Sequence, residues 1–239
     1  MEKVIVTKNL TKRYGSFTAV NNVDLSVSKG SVYGFIGRNG AGKTTLMKML
    51  LGMANVTSGS FEILGASSGK DLEEARRKVG SIIETPTFYD DMTLYQNLKY
   101  RALLIGEKDK SKIDEVLGYV GLSDKRNKKV KSLSLGMRQR LGIASALLGD
   151  PEILLLDEPI NGLDPVAIKE VRDTLEKLKK ERNITIFISS HILGEMEKIA
   201  TEYGFVNHGK LIKQITKEEL EKSGKTLEDY FVSLLGGEK

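Results

Sequence analysis

The run Gly37-Arg38-Asn39-Gly40-Ala41-Gly42-Lys43-Thr44 constrains this chain more than any other segment. It follows the short apolar stretch Val32–Ile36 and precedes Thr45–Met53, where Leu46, Met49 and Leu50 recur at helical spacing. A strand, a glycine-rich turn and a helix in this order form a phosphate cradle. The glycines permit backbone conformations that other residues resist, so consecutive amide hydrogens point into one concavity. The helix adds its positive N-terminal end. Lys43 is placed to reach the outer phosphates, and the Thr44 hydroxyl to bind magnesium. The candidate contacts to a nucleotide such as ATP are therefore Gly37, Arg38, Asn39, Gly40, Ala41, Gly42, Lys43, Thr44 and Thr45.

A second segment answers the first. Ile153-Leu154-Leu155-Leu156 is purely apolar and reads as a strand buried on both faces. It ends in Asp157-Glu158, a carboxylate pair that is costly there unless something positive sits beside it. A magnesium–phosphate cluster meets that need. Asp157 would hold the metal, and Glu158 could polarise the water that attacks the γ-phosphate.

Around these motifs the chain reads as α/β. Val4–Val6, Val23–Val27, Val32–Ile36, Ser60–Leu64 and Ser81–Ile83 read as strands, and 72–79 as a helix. Residues 85–150 carry helical periodicity at Leu94–Ile105, Lys112–Val120 and Gly136–Leu148, and are expected to form a helical subdomain. Strand and helix then alternate through Ile153–Leu156, Pro165–Arg182, Ile184–Ser189 and Leu193–Ala200, which argues for a mostly parallel sheet. The expected catalytic core spans 1–84 and 151–215, with a hairpin turn at Asn207-His208-Gly209 and a short helical tail at 216–239.

Composition narrows the chemistry. There is no cysteine, which excludes disulfides and thiolate nucleophiles, and with His191 and His208 the only histidines a structural zinc site is not expected. The longest apolar runs have four residues, far short of the roughly 20 that span a bilayer, and the first ten residues lack a secretory apolar core. A cytosolic chain is expected. The formal charge of +5 is a mild bias that selects no partner. The densest basic run, Lys125, Arg126, Lys128, Lys129 and Lys131, reads as a solvated loop or as a site for anionic headgroups or an acidic transmembrane partner.

Further segments carry a family resemblance. Leu133-Ser134-Leu135-Gly136-Met137-Arg138-Gln139-Arg140 resembles the signature loop of ATP-binding-cassette (ABC) proteins. Asn161-Gly162-Leu163-Asp164-Pro165 resembles the family's D-loop, His191 its switch histidine, and Tyr14 the aromatic that stacks on adenine. The likeness spans 3–230 and follows the family's order. It implies the ABC fold, a mixed sheet plus a mostly parallel sheet with flanking helices and an inserted helical subdomain. It also implies an ATPase in which two cassettes pair head to tail. Each ATP would then lie between one phosphate loop and the other chain's Ser134 and Gly136, with Asp164 nearby and His191 touching the γ-phosphate and Glu158.

The resemblance also implies partners: a separate transmembrane permease, a second ATP-binding subunit in a homodimer, and no nucleic acid. The place of work would be the cytoplasmic face of the membrane. Two departures refine it. Leu135 and Met137 replace the usual third and fifth signature letters, and Glu84 stands where a glutamine usually contacts the metal, which puts the usual magnesium and coupling contacts there in doubt. This combination, with the closing Leu227-Glu228-Asp229-Tyr230-Phe231 and Gly236-Gly237, is similar to bacitracin-resistance and lantibiotic-immunity ATPases. The alternatives are an ABC ATPase for another substrate or a soluble cofactor-assembly scaffold.

Overall fold

The computed structural model describes residues 2–236; Met1 and residues 237–239, with Gly237 and the end of the tail, lie outside it. The chain opens with β1 (Lys3–Tyr14), β2 (Phe17–Val23) and β3 (Ser26–Ser28). Next come β4 (Val32–Ile36), α1 (Lys43–Leu50) and β5 (Ser58–Ile63). β1 pairs antiparallel with β2, β3 and β5 in a four-stranded sheet. This sheet is more extensive than Val4–Val6 and Val23–Val27 suggest. Register shifts along β1, with Asn9 at φ 49°, break the alternation that would announce a twelve-residue strand. The expected strand at Val23–Val27 is instead a corner. Thr7 Oγ1 donates to the Val23 carbonyl (2.7 Å) and accepts from Leu25 N (3.0 Å), bending the chain between β2 and β3.

The rest of the chain builds the larger sheet. α2 (Gly69–Arg77) leads to β6 (Val79–Ile82); both start before the expected 72–79 and Ser81–Ile83. Then follow α3 (Leu94–Ile105), α4 (Ser111–Tyr119), α5 (Leu135–Leu147) and β7 (Ile153–Asp157). α6 (Pro165–Arg182), β8 (Thr185–Ser190), α7 (Leu193–Ile199), β9 (Glu202–Asn207) and β10 (Lys210–Thr216) come next, then α8 (Lys217–Lys222) and α9 (Leu227–Gly236). The strand order is β10-β9-β4-β8-β7-β6, parallel except for the β9–β10 hairpin.

Both faces of this sheet are covered, which is why β7 is wholly apolar before its aspartate. Successive side chains point to opposite faces. Ile153 and Leu155 join a core with Tyr33, Phe187, the α1 residues Leu46 and Met49, and the antiparallel sheet. Leu154 and Leu156 join a second core that also holds Leu98, Leu117 and Leu141 from α3, α4 and α5. Each fully buried leucine contributes about 1.5–3 kcal/mol, so the helices between β6 and β7 share one apolar cluster with the sheet. No helix among the described residues is long and apolar enough to cross a membrane.

Lys128, Lys129 and Lys131 of the basic run are exposed, as expected of a solvated loop, and several charges of the run are paired. Lys131 pairs with Asp91 (2.7 Å), Lys125 with Asp124, and Arg126 with Asp114 (2.6 Å). The Arg126 guanidinium also stacks 3.7 Å from the Tyr95 ring. The Lys131 partner holds the Asp91 carboxyl below the usual carboxylate range. The run is strapped to the chain before α3, with Lys131 N donating to the Asp90 carbonyl and Val130 N to that of Met92 (both 3.0 Å).

Candidate functional site

Three neighbouring parallel strands deliver the chemistry to one edge. Ile36 pairs with Ser190, and Asp157 with Ser189, so β4, β8 and β7 end level with one another. The loop after β4, the Asp157-Glu158 pair and His191 therefore emerge side by side, at the C-terminal ends where open parallel sheets place ligands. The loop is shaped by close backbone approach. A Cβ on Gly37 would lie 2.4 Å from the Val206 carbonyl oxygen, and one on Gly42, at φ 100°, 2.3 Å from that of Ala19. Gly42 caps α1, whose first residue is Lys43 rather than the expected Thr45.

Lys43 is buried and holds the loop's centre. Its Nζ donates to the carbonyls of Gly37 (2.6 Å) and Arg38 (3.2 Å) and lies 3.0 Å from Glu158 Oε1. Glu158 Oε1 is buried and faces only that ammonium among the described residues, and its other oxygen meets His191 Nδ1 at 2.8 Å. Glu158 is a non-glycine residue at φ 48°, a costly conformation of the kind that clusters at functional sites. Thr44 Oγ1 donates to Asp157 Oδ2 (2.6 Å), and Ser189 Oγ donates to Asp157 Oδ1 (2.6 Å). Asp157 is only 4% exposed.

These two residues fit magnesium, which takes one or two protein groups and completes its shell with phosphate oxygens and water. Among the described residues no group of three or more histidines and carboxylates could hold a metal by itself. Glu84 is not gathered to Thr44 and Asp157. Its carboxylate pairs with Lys48 on α1 (2.6 Å), and that hydrogen bond is the main reason the lysine's pKa lies above its ordinary value. Glu84 sits at φ 64° just beyond β6.

A cleft of about 380 Å³ opens beside the loop, lined by Phe17, Ala19, the segment Asn39–Thr45 and Glu158. Arg38 lines a neighbouring hollow of about 420 Å³ with His208 and Leu235. Tyr14 is 50% exposed and stands across the β1–β2 turn from Phe17, which is 62% exposed. Sequence reasoning missed Phe17 and Ser189. The two-residue turn between Tyr14 and Phe17 was a local signal for the first; only the β7–β8 register could have revealed the second.

The remaining residues lie at two other helix ends. Ser134 caps α5, accepting from Met137 N (3.3 Å), and Asp164 caps α6, accepting from Val166 N (3.0 Å) and Ala167 N (2.9 Å). Neither side chain joins the Lys43–Glu158–His191 cluster. Gly136 is required inside the chain, since its Cβ would lie 2.5 Å from that of Ala167.

Comparison with known proteins identifies the family and the fold. A profile of the ABC transporter family matches residues 20–161. The bacitracin transport ATP-binding protein BcrA of Bacillus licheniformis is 49% identical over 233 residues, 98% of this chain and 76% of that protein. The lantibiotic transport ATP-binding protein SrtF of Streptococcus pyogenes is 48% identical over 206 residues, 86% of this chain and 87% of that protein. The solved dimeric, post-hydrolysis ATP-binding cassette MJ0796, bound to ADP and Pi, shares the fold at a TM-score of 0.77 and 24% identity, covering 89% of this chain and 98% of that one. The phosphate loop, the paired carboxylates and the histidine thus stand on an ABC cassette, and the chain belongs to the ABC transporter family as an ATP-binding subunit that hydrolyses ATP.

Proposed function

We propose that the chain powers a transporter that exports or excludes peptide antibiotics, bacitracin or lantibiotics among them, working as a homodimer with a separate permease at the cytoplasmic face of the membrane. The observation that carries the substrate class is near-half identity to BcrA along 98% of the chain. The departures at Glu84, Leu135 and Met137 point the same way.

The local contacts supply a hydrolytic sequence. Lys43 leaves its two carbonyl partners and Glu158 for the outer phosphates, a stronger charge-assisted contact. Glu158 Oε1 is then free to take a proton from the attacking water. His191 holds the other oxygen of Glu158 and fixes the carboxylate's angle. Thr44 and Asp157 would hold magnesium, which would supply positive charge against the phosphates. The exposed rings of Tyr14 and Phe17 suit the base. Ser134, Gly136 and Asp164 would meet the partner's nucleotide, as their resemblance to the family's signature loop and D-loop implies.

A groove of about 570 Å³ between α3 and the β6 edge suits the permease. It contains Arg77 and Arg101, which have no ion-pair partner among the described residues, together with Leu104 and Ile105. A permease segment with acidic and apolar residues complements it. The test is a bacitracin and lantibiotic challenge of cells that make the chain with its permease. Protection should vanish with Lys43→Ala and weaken with Arg77→Glu/Arg101→Glu, which should also release the permease on purification. Equal sensitivity of all strains to both peptides would overturn the substrate class.

A further inference from the structure

The segment after β6 is gripped from two sides. On one side Glu84 is bonded to Lys48 of α1, the helix that begins at the phosphate loop. On the other side Pro86 lies against α5, the helix that Ser134 caps, at Gly142. A Cβ on Gly142 would lie 3.0 Å from both Cβ and Cγ of Pro86 and 3.1 Å from Ile82 Cδ1. The end of the Ile82 side chain can turn away; the proline ring cannot.

Gly142 is buried in the interior of α5 and has no left-handed backbone to explain it. Alanine is the better helix former there. Space for Pro86 is what the glycine provides. Six residues earlier Gly136 makes a second notch, against Ala167 of α6. At about 100° per residue the two notches face different directions, so α5 is wedged between the Glu84 segment and α6.

We infer that Gly142 is a positioning residue for hydrolysis: its notch seats Pro86 and so sets the angle at which α5 presents Ser134 and its N-terminus to the nucleotide on the partner. The inference rests on the proposal that Ser134 meets that nucleotide. An added methyl would force a shift of a few tenths of an ångström between α5 and Pro86, without touching the chain's own phosphate loop.

The test uses the purified full chain with Mg-ATP. Gly142→Ala should melt no lower than the parent and bind ATP equally well. Its kcat should fall about tenfold with KM unchanged, a part of the roughly 10²-fold that a 1 Å misplacement can cost. ATP-driven dimerisation in sedimentation should weaken in parallel. Pro86→Gly removes both crowding atoms, so Gly142→Ala/Pro86→Gly should recover most of the lost turnover relative to Pro86→Gly alone. Parent turnover in Gly142→Ala, or a double variant with no recovery, would overturn the inference. Ser134→Ala separates it from the reading beneath it. If Ser134→Ala is slow and Gly142→Ala is normal, only the notch fails; if Ser134→Ala turns over like the parent, the signature-loop reading falls and takes this inference with it.

Discussion

The phosphate loop and the signature loop both begin a helix, yet their polar groups are used differently. At the start of α1, Lys43 and Thr44 reach outward from their own helix to Gly37, Glu158 and Asp157. At the starts of α5 and α6, Ser134 and Asp164 turn back onto the backbone of their own helices. The first region is a site already assembled inside one chain. The second is a pair of helix ends capped by their own side chains. The difference teaches where each half draws its precision: the first from side-chain contacts across three strands, the second from the packing of whole helices at Gly136 and Gly142.

Variants can break that contrast. The largest effect is expected at Glu158→Gln, which keeps the shape but removes the base. Turnover should fall about 10²–10⁴-fold while ATP binding persists. Sedimentation should then find an ATP-bound dimer, and a variant that stays monomeric or hydrolyses at the parent rate would refute the role. Next come Tyr14→Ala and Phe17→Ala. Stacking on a base is worth about 1–3 kcal/mol per ring, so each should weaken ATP affinity by about 5- to 150-fold while leaving turnover at saturation intact. A titration in which only Tyr14→Ala weakens binding would remove Phe17 from the base site.

The smallest effect concerns Lys48 and Glu84. Their hydrogen bond raises the lysine's pKa, so the pair's contribution is fully present below the unfolded lysine pKa. It is lost as pH rises through the higher folded value. Both groups are solvent-accessible, so the pair is worth only about 0.2–1 kcal/mol. Lys48→Met should therefore melt about 0.4–4 °C below the parent at neutral pH, and the two curves should converge in strongly alkaline buffer. A difference that persists there would show that Lys48 acts through packing rather than charge.

Much of the site was legible because it is local. The phosphate loop lies within eight residues, and Asp157-Glu158 directly closes its strand. Local punctuation also revealed α6, started by Asp164-Pro165, and the turn at His208-Gly209 between β9 and β10. The long β1 was not legible, because its register shifts scramble the two-residue period. The ion pairs of the basic run were not legible, because some of its acidic partners, such as Asp91, lie some 40 residues away.

By itself the sequence determined the nucleotide chemistry and the order of strands and helices from β4 onward, since those rest on residues adjacent in the chain. The tertiary structure alone decided that Ser189 steadies Asp157, that Glu84 rests on Lys48, and that Gly142 makes room for Pro86. Each of these contacts joins residues more than 30 positions apart. Strand register and helix packing set them, and a slip of one residue along a strand would send its side chains to the opposite face.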